Sequence, residues 1–137
     1  MATYKVVISK TNKTFPIQGL NELLRAENHI WNERTKKTVV SNKVKADNDT
    51  ICRIAIQKYL QGVKIDKPIR CHYHIFVKDK MHDRGNVYAS LEKSFLDALQ
   101  QRKVIKNDGF DDVLDSTFIT ELDRNNPRIV VEIEEVE

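Results

Sequence analysis

Cysteine is scarce in this 137-residue sequence: Cys52 and Cys71 are the only two. They form no CxxC pair and have no metal-ligand spacing. They read as reduced, partly buried small residues of a cytoplasmic protein, with a disulfide as the alternative. Long apolar runs are missing too. None approaches the ~20 residues that a membrane span needs. The first residues, from Met1 to Lys10, lack the basic-then-apolar pattern of a secretion signal and read as a first strand. The expectation is a cytoplasmic protein without a membrane partner. No GxGxxG, Walker or GxSxG motif occurs, so nothing points to nucleotide hydrolysis or serine catalysis. Internal repeats, low-complexity tracts and linkers are also absent, and the length suits one domain, residues 1–137.

What is present is a globular composition, 40% hydrophobic and 31% charged, with a net charge of +3. The charge is unevenly spread. Basic residues outnumber acidic ones from Lys36 to Lys106, whereas Glu132, Glu134, Glu135 and Glu137 crowd the C-terminus. The middle of the chain can offer a positive surface to a phosphate backbone. Ordinary solvated lysines would give the same count.

The hydrophobic pattern predicts the element order β-α-α-β-α-β-β. Tyr4 to Ser9 alternates and is β-branched, so it reads as a strand. Phe15 and Pro16 can extend it only as an edge. Gly19 to Asn28 reads as a helix with Leu20, Leu23 and Leu24 on one side. A second helix is expected from Glu33 to Leu60, with a possible break at Asp47, Asn48 and Asp49, whose side chains compete for backbone hydrogen bonds. Gly62 suits the C-terminal cap. Ile69 to Lys78 is the clearest strand. Cys71, Tyr73, Ile75 and Val77 share one face, and His72, His74 and Phe76 the other. Both faces are apolar or aromatic enough to be covered. Val87 to Gln101 is the clearest helix, with Val87, Leu91, Phe95 and Ala98 as its buried stripe. Strands follow at Val113 to Leu122 and Arg128 to Val136. The fold class is therefore α/β, a small mixed sheet with helices packed against it.

Candidate chemistry falls between Met81 and Asp108. His72 and His74 could enter a zinc site, but no further ligands stand at matching spacing, so hydrogen-bonded histidines on a sheet face are the simpler reading. Trp31 lies beside a basic segment and could stack on a base or anchor two helices. Asp83 falls between strand and helix, and Asp108 opens the next sheet segment. If the helix packs on the sheet, both carboxylates can lie at one edge and hold Mg²⁺, which prefers oxygen ligands. Such an ion would activate water and neutralise charge on a phosphate. Lys93 and Asp97 stand one turn apart, so a lysine engaging the phosphate and an aspartate orienting it form a plausible pair. The competing account is plain: Asp83 caps a helix, Lys93–Asp97 is a surface pair, and Asp108-Gly109 is a turn.

These motifs, in this order, resemble the RusA family of Holliday junction resolvases in the longer form found in phages and prophages of Gram-positive bacteria. That family has a basic residue, then D-x-D-N, a helix with K-x-x-x-D-A-L, and a D-D or N-D pair. Here the corresponding residues are His82, Asp83, Arg84, Gly85 and Asn86, then Lys93 to Leu99, then Asn107-Asp108-Gly109. Gly19 to Ala26, the basic segment after it, and Asn126-Pro127-Arg128 before the last strand extend the likeness over nearly the whole chain.

The resemblance implies a RusA-like α/β homodimer that makes paired, symmetrical nicks in four-way (Holliday) DNA junctions with Mg²⁺. It implies Asp83 and Asp108 as metal-binding carboxylates, Lys93 and Asp97 as further catalytic residues, and Asn86 in support. Arg34, Lys36, Lys37, Lys43, Lys45 and Arg84 would contact DNA. The chain departs from the family at Gly85, which replaces the second aspartate of D-x-D-N, and at His82 and Asn107. A glycine there removes a charge and two ligand oxygens unless Asp79, Glu92, Asp111 or Asp112 substitutes. The alternative is a RusA-like protein that binds branched DNA without cutting it.

Overall fold

A computed structural model describes residues 2–9, 29–32, 37–40, 42–78 and 84–137. Its elements are β1 (Thr3–Ser9), β2 (His29–Asn32), β3 (Lys37–Val40), α1 (Asn42–Tyr59), β4 (Ile69–Val77), α2 (Arg84–Gln101), β5 (Val113–Leu122) and β6 (Arg128–Glu135). The class is α/β. Four strands form one mixed sheet in the order β1-β6-β4-β5, and β2 and β3 form a separate antiparallel pair. Within the larger sheet β6 runs antiparallel to both β1 and β4, while β4 and β5 are parallel. A parallel pair needs a long crossover, which α2 supplies.

One face of the sheet makes the core. Strand alternation sends Ile69, Cys71, Tyr73, Ile75 and Val77 of β4 inward with Val6, Ile8, Ile129, Val131 and Ile133. Helix periodicity sends Ile51, Cys52, Ala55 and Ile56 of α1, and Val87, Leu91, Phe95, Ala98 and Leu99 of α2, against them. Tyr73 sits at the centre, edge-on to Phe95 and stacked on Phe118 at 4.8 Å between centroids. Arg53 Nη1 donates to Gln101 Oε1 at 2.6 Å and ties the two helices together.

The predicted single helix from Glu33 to Leu60 is corrected. Residues 37–40 are a strand paired with residues 29–32, and the helix begins only at Asn42. The run Thr38-Val39-Val40 is β-branched and favours the pleated surface, and its spacing to Val44 only imitates a helical stripe. No break occurs at residues 47–49 either. Helix α1 runs through them, and Asn48 is turned inward and buried. Helix α2 starts at Arg84, three residues before the predicted start. The helix expected over residues 19–28 and the edge segment at Phe15-Pro16 lie outside the described residues. The second face of β4 is only half-covered: Arg70, His72, His74 and Phe76 remain partly exposed. Gly62 has φ +77 and ends the turn after α1, a conformation that favours glycine.

Candidate functional site

The crossover β4–α2–β5 places the candidate residues. Two contacts fix how α2 lies on β5. Tyr88 Oη and Thr120 Oγ1 share a 2.5 Å hydrogen bond, and Ser116 Oγ donates to Glu92 Oε1 at 2.9 Å. Residue numbers rise along the helix as they fall along the strand, so the two elements are antiparallel. Tyr88 also stacks on Phe118. Its aromatic body and polar tip thus lock the helix to the strand at two points.

Lys93 and Asp97 are brought together. Lys93 Nζ donates to Asp97 Oδ1 at 3.2 Å. Lys93 is 63% exposed and Asp97 21% exposed. The reason is local: Ser94, Phe95, Ala98 and Leu99 are buried, so the neighbouring positions one turn apart face outward. The pair is an exposed cation beside a shielded carboxylate. It supplies a charge that can meet a phosphate.

Asp108 is placed elsewhere. Gly109 O accepts from Asp112 N and Val113 N at 3.0 Å, so Asp108 sits in the turn that opens β5. Tyr88, one turn inside the start of α2, is level with Thr120, seven residues further along β5. At about 3.3 Å per residue this separates the two levels by ~23 Å. Within one chain, the Asp108 turn and the N-terminal end of α2 lie at opposite ends of the sheet.

Asp83, Arg34 and Lys36 lie outside the described residues, as do His82 and Asp79. Lys37 falls on β3, Lys43 and Lys45 in the first turn of α1, and Arg84 and Asn86 in the first turn of α2. Gly85 is exposed, and an added Cβ would meet nothing within 4 Å. Glu92 is engaged by Ser116 midway along α2, and Asp111 and Asp112 share the turn of Asp108. Among the described residues no group of three or more His, Cys, Asp and Glu side chains is arranged to hold a metal ion. The described residues of one chain thus provide Asp108 at one end and Lys93–Asp97 on the helix, not a joined Mg²⁺ site.

The half-covered sheet face has its own polar order. His72 Nδ1 lies 2.7 Å from Thr117 Oγ1 and its Nε2 3.0 Å from Glu134 Oε2. His74 Nε2 lies 3.0 Å from Glu121 Oε1, an ion-pair distance without hydrogen-bond alignment. His72 is hydrogen-bonded across the sheet, as the simpler reading expected, whereas His74 Nε2 makes no hydrogen bond. Arg128 lies over the Phe76 ring at 3.7 Å and donates to Asp123 Oδ2 and Asn126 O, each at 2.9 Å. The Asn126-Pro127-Arg128 segment therefore builds the β5–β6 connection. Sequence reading noted that segment but did not find this role. It is visible only once β4 and β6 are neighbours.

No family model matches the chain, and no curated protein matches it. The fold and the site define a small α/β protein with a four-stranded mixed sheet and a crossover helix that displays a Lys–Asp pair. None of its described helices is long and apolar enough to cross a membrane.

Proposed function

We propose that this protein is a RusA-like, Mg²⁺-dependent endodeoxyribonuclease that acts on four-way DNA junctions as a homodimer. One observation carries the proposal. The K-x-x-x-D-A-L segment lies on a crossover helix with Ala98 and Leu99 buried, Lys93 exposed, and Asp97 3.2 Å from Lys93. That arrangement is the one a phosphate-engaging lysine with an orienting aspartate needs. Asp83 and Asp108 are the carboxylates that would hold the ion. Arg34, Lys36, Lys37, Lys43, Lys45 and Arg84 would follow the DNA backbone, and Asn86 would support the start of α2. A bound Mg²⁺ would activate water and neutralise charge on the phosphate.

The test is a labelled four-way junction with purified protein and Mg²⁺. Paired nicks at symmetrical positions are expected. Absence of cleavage at protein concentrations that saturate the junction would overturn the nuclease.

A second reading is favoured by Gly85, which leaves no carboxylate at the position of the family's second aspartate. In that reading the protein binds branched DNA without cutting it. Gly85→Asp separates the two: nicking that appears only in the variant supports the binding protein. Nicking by the natural chain that Asp108→Asn abolishes supports the enzyme.

A further inference from the structure

The turn that carries Asp108 also carries an aromatic ring that the core does not use. Phe110 is 93% exposed, the most exposed large apolar side chain among the described residues. Phe76, Phe95 and Phe118 each pack on another ring or on a guanidinium, and Phe110 joins none of those contacts. Its surroundings in sequence are those of a polar turn, Lys106-Asn107-Asp108-Gly109-Phe110-Asp111-Asp112.

The ring stands on a tied support. Asp112 N and Val113 N both donate to Gly109 O at 3.0 Å, and Ile69 N donates to Asp112 O at 2.9 Å. The turn is thereby fastened to the first residues of β4 and β5. A Cβ on residue 109 would stand 3.2 Å from Asp112 Oδ2, so glycine lets the turn close this tightly. An aromatic side chain on a fastened turn has little freedom to lose when a partner stacks on it.

The same turn describes the partner. Asp108 is the carboxylate that the nuclease reading gives to the metal, beside the phosphate to be cut. Two residues span at most about 7 Å, roughly two base steps of about 3.4 Å, so Phe110 falls beside the nucleotides at that phosphate. Asp108, Asp111 and Asp112 set negative charge around the ring. A phosphate backbone is repelled there, whereas the flat face of a base is not. Cations lie next to the tip rather than on it. Lys67 and Lys106 line a cleft of about 280 Å³ with Asn107 and Asp112. A nucleotide offers both parts of this match, a plane for the ring and an anion for a lysine.

In an intact duplex both faces of each base are covered by its neighbours. At a branch point stacking is interrupted, and a base face is open to an inserted side chain. We propose that Phe110 stacks on an open base face at the branch point and so makes the protein select branched DNA over duplex. This deepens the nuclease reading and rests on it. It adds a specificity-determining residue that touches a base, distinct from the carboxylates and the lysine that meet the phosphate.

The test compares a labelled four-way junction with a duplex of the same arm sequence, by fluorescence anisotropy at one salt concentration. Ca²⁺ replaces Mg²⁺ so that binding is read without cutting. The natural chain should prefer the junction. Phe110→Ala should lower that preference by about 5- to 150-fold, the range for removing one base–aromatic stack. The loss should fall on the junction alone, with duplex affinity and thermal unfolding unchanged. Phe110→Trp should keep the preference. Phe110→Leu, with apolar bulk but no ring, should lose it as alanine does. Permanganate should oxidise branch-point thymines in the alanine complex and spare them in the natural and tryptophan complexes.

An unchanged preference in Phe110→Ala overturns the proposal. So does a leucine variant as selective as the natural chain, which would make residue 110 an apolar anchor for a pocket on a protein partner. A lower unfolding temperature in Phe110→Ala would make the ring a packing residue and overturn it too. If the natural chain binds junction and duplex equally, the branched-DNA reading fails and takes this proposal with it. If the natural chain prefers the junction but never cuts it in Mg²⁺, the nuclease fails and the variant series still judges Phe110.

Discussion

Ser116 on β5 donates a 2.9 Å hydrogen bond to Glu92 on α2, and Lys93, the next residue along the helix, points away to solvent. Adjacent positions on the helix thus turn a carboxylate to the strand and a cation to solvent. Glu92 holds the helix to the strand through its Oε1. Lys93 pairs with Asp97 and is exposed, so its ammonium can turn toward a phosphate.

Lys93→Met is expected to leave stability almost unchanged. An exposed pair four residues apart is worth about 0.3–0.5 kcal/mol. Junction cleavage should fall at least about 100-fold if the lysine stabilises charge in the transition state. Urea unfolding and a junction assay on the same preparation measure both. Equal activity in the variant would remove Lys93 from the chemistry.

Gly85→Asp should fold and gain stability. The position lies in the first turn of α2, has open space around it, and is not at positive φ. Replacing glycine in a helix contributes up to about 1 kcal/mol, and a carboxylate near a helix N-terminus is favourable. Thermal unfolding should rise by a few degrees. Mg²⁺-dependent nicking should rise with it if residue 85 is a missing ligand position. A stabilised variant with unchanged nicking would show that the natural chain already has its carboxylates.

Arg128→Lys should cost about 1–2 kcal/mol despite the retained charge. The guanidinium stacks on Phe76 and reaches both Asp123 and Asn126 O, and an ammonium cannot do all three. Arg128 also holds the Asp123 carboxyl below its usual range, by its hydrogen bond first. The part of stability linked to Asp123 is present above the ordinary carboxylate pKa and is lost as pH falls through the lowered one. Denaturation of both proteins at pH 7 and at acid pH should show the gap narrowing toward low pH.

The two thiols predict an alkaline weakness. Burial pushes Cys52 up to about 12, helped by the Asp49 carboxylate, and burial pushes Cys71 up to about 12. The folded-state values are raised above the ordinary thiol value of 9.0, so the neutral forms are favoured by folding. Stability is full below pH ~9 and declines toward pH ~12, by up to about 1.4 kcal/mol per pH unit for each thiol. A thiol reagent at pH 8 should label neither cysteine until denaturant is added. Fast labelling of the native protein would contradict their burial.

Much of the architecture was legible because it rests on local periodicity. The alternation of Ile69 to Val77 and the stripe of Val87, Leu91, Phe95 and Ala98 each indicated their element and buried face. The β5 limits, Val113–Leu122, match those read from the sequence. The helical reading failed at Lys37–Val40 because the β-branched run Thr38, Val39 and Val40 fits a helix stripe nearly as well as a short hairpin. Only a paired strand decides between them, and its partner, His29–Asn32, is itself short. The polar triplet at residues 47–49 failed for a related reason. The stripe of Ile51, Cys52, Ala55 and Ile56 packs α1 on the core, and the helix continues through the triplet with Asn48 buried on the same side.

The candidate site divides the same way. The spacing of Lys93 and Asp97 by itself determined that they would meet, because one helical turn brings such residues together. The apolar residues between them determined that they would face outward. What only the tertiary structure decided is where that helix points. The contacts of Tyr88 with Thr120 and of Glu92 with Ser116 set α2 antiparallel to β5. The Asp108 turn thereby falls at the far end of the sheet from the start of α2. Direction along a neighbouring strand is set by non-local pairing, which no spacing within one segment encodes.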